Sequence, residues 1–141
     1  MLAKISVTAA CLVLALLVPA LEINETHLLN PHWPSHARLH EAWQLLSNAG
    51  LSMLCLWLAW TQAKARLASA IMLALTGSFL VAFIVRGTYG GSMQHTDGTE
   101  LMIGGVNPAF GVMLATSVAL AVGALWRRHE APAKGRTMSQ R

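Results

Sequence analysis

The chain has 141 residues, is 55% hydrophobic and only 11% charged, and its apolar residues fall in long blocks. That composition argues against a water-exposed bundle, whose helices would each need a polar outer face, and points to a membrane protein. The formal charge of +4 gives no case for nucleic acid, because most of the basic surplus is Arg127, Arg128, Lys134, Arg136 and Arg141, a short tail of the kind that flanks membranes.

The first apolar block runs from about Ile5 to Ile23, behind Lys4. A cleaved signal peptide is its alternative reading, since Val18-Pro19-Ala20 offers small residues to a peptidase, but the run exceeds the ~7–15 residues of a usual signal core. Further blocks span about Trp43 to Trp60, Leu67 to Val85 and Val106 to Trp126. Each approaches the ~20 residues needed to cross a ~30 Å hydrocarbon layer. The expected fold is therefore all-α: an antiparallel four-helix transmembrane bundle forming one domain over residues 1–126. A basic, disordered cytoplasmic tail is expected over residues 127–141. Cys11 and Cys55 lie inside apolar blocks and read as small packed hydrophobes.

Lys4, Lys64, Arg66 and the tail fall on the side that holds the termini, and only Arg38 and Arg86 on the other. The positive-inside rule then makes this an integral membrane protein with both termini cytoplasmic, in the inner membrane if the host is bacterial. On the last block Gly111, Ala115, Ala119 and Gly123 recur every four residues, a small-residue stripe suited to helix contact, including homo- or hetero-oligomer formation.

The polar chemistry collects at the non-cytoplasmic side: His27, His32, His36 and His40 around the first loop, His95 in the third, with Glu22, Glu25, Glu41, Asp97 and Glu100. Pro31 and Pro34 bias the loop before the second helix to extended backbone, and Ser35 can cap that helix. A helix starting there places His36, His40, Gln44 and Ser47 on one face within about 80°, at about 100° per residue. Such a polar stripe is expected to look into the bundle or a water-filled cavity, since facing lipid would be costly. Glu41 and Asn48 share a different face, and His27 and His32 read as loop residues. Asn107-Pro108 is expected to open the fourth helix.

These residues support three readings. In the first, a membrane-embedded enzyme acts on a lipophilic small molecule by acid–base chemistry. His36 or His40 is the base or acid, Asp97 or Glu41 orients or pairs with it, and Arg38, Arg86, Gln44 and Trp33 bind the substrate's polar end. Isomerisation, cyclisation or hydrolysis would suit these groups. In the second, His36, His40 and His95 hold one transition-metal ion such as copper, zinc or iron, for oxidation or metal handling. In the third, the chain is an accessory subunit docked through the α-helical stripe. There is no nucleotide-binding Gly loop, Cys-x-x-Cys pair or Gly-x-Ser-x-Gly elbow in the sequence.

Residues Thr26 to His40 carry the pattern Thr-His-x-x-Asn-Pro-x-Trp-Pro-x-His-Ala-Arg-x-His. In this pattern the chain resembles an uncharacterised family of small four-helix membrane proteins, which implies the tetraspan layout and no particular activity. The layout also broadly resembles sterol isomerase-like and quinone-reducing membrane enzymes, although the Cys-x-x-Cys of the latter is missing here.

Overall fold

A computed structural model describes residues 1–95 and 97–126. The expected tail, 127–141, lies outside the described residues. The fold consists of four helices, each long and apolar enough to cross a membrane, with no strand among the described residues. They are α1 (Leu2–Glu22), α2 (Ser35–Trp60), α3 (Ala65–Val85) and α4 (Pro108–Trp126).

Local chemistry sets the helix boundaries. Pro34, with extended backbone at ψ 140°, stops helical structure before α2, and Ser35 becomes its first residue without making the expected side-chain cap. Asn107 does cap α4: its Oδ1 accepts the Ala109 N–H at 3.0 Å, and Pro108 occupies the first turn, where its missing donor is harmless. Within α1, residues Val13–Leu17 form a π-helical turn, and the Val18 N–H donates to Val13 O, five residues back. Pro19 accounts for the widening. It has no N–H to offer Ala15, and its ring would press on that carbonyl in a regular α-helix.

Direction alternates from helix to helix. Trp60 Nε1, at the end of α2, donates to Thr8 Oγ1 near the start of α1 (3.0 Å), and Lys4 Nζ lies 5.0 Å over the Trp60 ring. Phe83 and Phe110 pack with ring centroids 4.7 Å apart, joining the end of α3 to the start of α4. Gly123, near the end of α4, packs on Ala3 and Ser6 of α1. One end of the bundle thus carries the start of α1, the end of α4 and the α2–α3 turn, and the other carries the two longer loops.

Small side chains let the helices approach. Ala3, Val7, Ala10, Cys11, Cys55, Ala59 and Ala68 are buried with Met72 and Leu120, as expected where van der Waals contact holds apolar helices together. Polar links between helices are few, and Ser52 Oγ is buried without a hydrogen-bond partner among the described residues. The Cys11 thiol donates to Ser52 O at 3.3 Å, and the Ser117 hydroxyl donates to Thr76 Oγ1 at 2.8 Å.

Within the chain the four-residue stripe on α4 is divided between environments. Gly123 is buried and Gly111 half-buried, while Ala115 and Ala119 are exposed. At 3.6 residues per turn a four-residue repeat rotates about 40° per step. The ridge turned inward is instead Met113, Ser117, Leu120 and Gly123.

Candidate functional site

A cavity of about 450 Å³ opens in the half of the bundle nearer the long loops, with walls from all four helices. Its size lies within the ~300–1,000 Å³ of typical small-molecule sites. The π turn of α1 contributes Val13, Leu14 and Leu17, α3 contributes Leu75 and Phe79, and α4 contributes Pro108, Val112 and Met113. Four polar residues interrupt this apolar lining: Glu22, Gln44, Asn48 and Ser78.

These four are not equivalent. The Ser78 hydroxyl is already committed to Ala74 O at 2.6 Å. Asn48 is only 9% exposed and its carboxamide makes no hydrogen bond among the described residues. Its side chain lines the cavity, so Asn48 presents there a donor and an acceptor that a bound molecule would satisfy. Gln44 stands four residues before it on α2, at the more exposed rim of the cavity.

Glu22 ends α1 on the cavity wall, and behind it lies His27, with Nε2 3.3 Å from Glu22 Oε2. The chain between them folds back through Asn24. Its Nδ2 donates to Leu21 O (2.6 Å), and its Oδ1 accepts both the Thr26 N–H (2.8 Å) and the Thr26 hydroxyl (2.7 Å). Having given its only proton to Asn24, Thr26 Oγ1 must accept at its 2.8 Å contact with His27 Nδ1. The proton on Nδ1 is thereby fixed. Nε2 faces a carboxylate oxygen, and that pair of atoms is bonded only when one proton lies between them, on the ring or on the acid.

The surroundings tune the protonation of this pair. The His27 and Glu22 side chains are 27% and 28% exposed. Burial lowers the His27 pKa below its ordinary value, the neighbouring charge of His95 lowers it further, and the Glu41 carboxylate opposes both. The ring therefore holds a second proton weakly. His95 lies edge-on to His27 with centroids 5.5 Å apart, and the Trp33 ring packs against the same imidazole at 6.0 Å. Glu41 has one oxygen, Oε1, buried without a hydrogen-bond partner among the described residues.

Thr26→Val tests the proton assignment. In the wild type, ¹⁵N NMR of the neutral His27 ring is expected to show the Nδ1–H tautomer, and in the variant a mixture of the two. A wild-type ring protonated chiefly at Nε2 would contradict the arrangement.

The structure distributes the sequence-derived candidates unevenly. His36 and His40 are exposed and adjoin one another, Nε2 to Nε2 at 2.9 Å. Neither lines the cavity, and the expected inward stripe His36, His40, Gln44, Ser47 is exposed throughout, with only Gln44 reaching the cavity rim. The inward ridge of α2 is instead Leu45, Asn48, Ser52 and Cys55.

Asp97 is exposed, and hydrogen bonds from the Thr99 hydroxyl and N–H hold its carboxyl below the usual pKa. Arg86 is spent on its own helix end: its guanidinium donates to Phe83 O at 2.7 Å and covers the Phe83 ring at 4.0 Å. Arg38 and Trp33 are half-buried but outside the cavity lining.

His36, His40 and His95 are not brought together as a ligand set. His95 sits against His27, and no three His, Cys, Asp or Glu side chains among the described residues form a group that could hold a metal ion. The residues sequence reasoning undervalued are Glu22, His27 and Asn48. Their signals were the Asn-x-Thr turn that folds His27 back on Glu22, and a seam of alternating four- and three-residue steps, Glu41, Leu45, Asn48, Ser52, Cys55, that marks the inward face of α2.

No protein-family model, curated protein or solved structure matches this chain.

Proposed function

We propose that the chain is an integral membrane protein whose helices cross the bilayer in alternating directions, and that it transforms a lipophilic small molecule by acid–base chemistry in the cavity. Large apolar side chains cover the outside of the bundle, among them Ile5, Leu16, Leu46, Met53, Ile84 and Val118. Such a surface suits lipid and would be an aggregation hazard in water. The end with the termini carries Lys4, Lys64 and Arg66 against Arg38 and Arg86 at the other, so both termini are cytoplasmic and the cavity lies in the non-cytoplasmic half.

One observation carries the reading: an apolar cavity whose polar end holds Asn48, without a hydrogen-bond partner among the described residues, and Glu22, whose carboxylate lies 3.3 Å from His27 Nε2. Glu22 touches the cavity and exchanges a proton with the substrate, while His27 stores that proton behind it. Asn48 and Gln44 bind the substrate's polar group. Exposed wall residues Leu17, Leu21 and Val112 mark an entrance from the bilayer. A proton removed at one position and returned at another is an isomerisation or cyclisation, and the same pair could activate water for hydrolysis. This moves the acid–base role from His36 and His40, which face outward, to Glu22 and His27.

Asn48→Leu is close to isosteric and leaves no buried polar group, so the bundle should fold. Mass spectrometry of organic extracts from the purified wild type is expected to find a retained lipophilic compound with a hydrogen-bonding group. The variant should retain about tenfold less, the loss from forfeiting about 1.4 kcal/mol of binding. Equal retention by both proteins, or none by the wild type, would sink the assignment.

A further inference from the structure

We propose that His36 and His40 form a chelate for one divalent late-transition-metal ion, of the copper or nickel type, on the outward face of α2 and apart from the cavity. The two rings project from successive turns of the helix, are both exposed, and stand nearly perpendicular at 88°. Their Nε2 atoms are 2.9 Å apart.

That separation is informative about geometry. With metal–nitrogen bonds of about 2.0–2.1 Å, two nitrogens 2.9 Å apart subtend about 90° at the metal. Tetrahedral coordination, at about 109°, would need them roughly 3.3 Å apart. If the rings keep that spacing as they turn toward an ion, the near-right angle suits adjacent positions of square, tetragonal or octahedral coordination, and with imidazole donors this fits Cu²⁺ and Ni²⁺.

Without metal, the same contact is a hydrogen bond in which one Nε2–H donates to the other ring. In water such a bond has a modest net value, about 0.5–1.5 kcal/mol, and gives way readily. Chelation requires each exposed ring to rotate so that both Nε2 lone pairs point to a common ion. His95 does not complete the set, because it lies against His27. The remaining positions are left to water or to a donor from outside the chain, so the site can exchange ligands. Trp43, whose ring centroid is 6.0 Å from that of His40, stands where a bound paramagnetic ion quenches its fluorescence.

The experiment titrates the untagged full chain in detergent with CuCl₂ and NiCl₂, reading bound metal by equilibrium dialysis and tryptophan fluorescence in parallel. One ion per chain is expected at this site. Trp43→Phe should remove most of the quenching and none of the binding. His36→Gln and His40→Gln, both on the exposed helix face, should each weaken binding at least about tenfold, the smallest loss usual even for groups that only support a metal ligand. His95→Gln and Asn48→Leu should leave it unchanged, which separates this site from the cavity. Absence of binding, binding unaltered in either His36 or His40 variant, or loss in His95→Gln overturns the proposal.

Discussion

Gly123→Ala is expected to destabilise the bundle by about 1–3 kcal/mol, the usual cost of overpacking a close helix contact, and Gly123→Val to keep α1 and α4 from closing. A Cβ at position 123 would overlap Ser6 Oγ and would lie 3.2 Å from Ala3 Cα and 3.3 Å from Ser6 Cβ. Ser6 can swing its hydroxyl away only by giving up its 3.2 Å bond to Ala3 O. The Ala3 Cα belongs to the α1 backbone, so relieving that clash means moving the helix. Thermal unfolding in detergent measures the loss, and two companions locate its cause. Ser6→Ala combined with Gly123→Ala should recover part of it, because the Oγ overlap disappears while the crowding against the Ala3 backbone remains. Gly77→Ala on α3 meets nothing within 4 Å, and should stabilise by up to about 1 kcal/mol through helix propensity. If both glycine variants behave alike, the α1–α4 contact is not the tight one described.

The four helices were legible because apolar runs bounded by prolines, glycines and charges constrain length strongly. Their ends were less so. The apolar block beginning at Trp43 is only the inner part of α2, which starts at Ser35 because the polar turns from His36 to Ala42 continue the same hydrogen-bond ladder. Hydropathy reports where a chain prefers lipid, whereas Pro34 and the backbone decide where the helix begins. Likewise Pro19 reads from sequence only as part of an alternative cleavage site. Only the tertiary setting shows α1 absorbing it as a π turn that widens the cavity wall.

The candidate site was harder to read because periodicity gives faces without saying which one turns inward. His36, His40, Gln44 and Ser47 form a real polar face, yet Leu45, Asn48, Ser52 and Cys55 are the residues of α2 buried inside the bundle. The longer, more chemically suggestive side chains lie on the outward face. The pairing of Glu22 with His27 was invisible to helical spacing, since it depends on the Asn24 turn that ends α1 and reverses the chain. Asn24 and Thr26 stand at the right interval for that turn, but which residues it brings together follows from folding around them.

Glu22→Gln is expected to cut turnover by about 10²–10⁴-fold, the usual contribution of a positioned acid–base group, while retention of the lipophilic ligand changes by less than about threefold because Asn48 and the apolar wall remain. Gln has nearly the shape of Glu but can neither take nor release a proton, and it can still donate an amide hydrogen to His27 Nε2. Packing is thus kept and only the shared proton is lost. In the wild type the pair works while it holds a single proton. Below the working range both groups are protonated and no base remains; above it the shared proton is gone and no acid remains, so the rate against pH is a bell with limbs belonging to the pair. The Glu41 carboxylate favours protonated His27. Removing its charge in Glu41→Gln should therefore move both limbs to lower pH, with the bell otherwise intact. The two substitutions make different demands on one site: the first removes the reaction at every pH, and the second displaces its pH range. A Glu22→Gln protein that turns over normally, or a Glu41→Gln profile shifted upward, would mean that proton transfer in the cavity is carried by other groups.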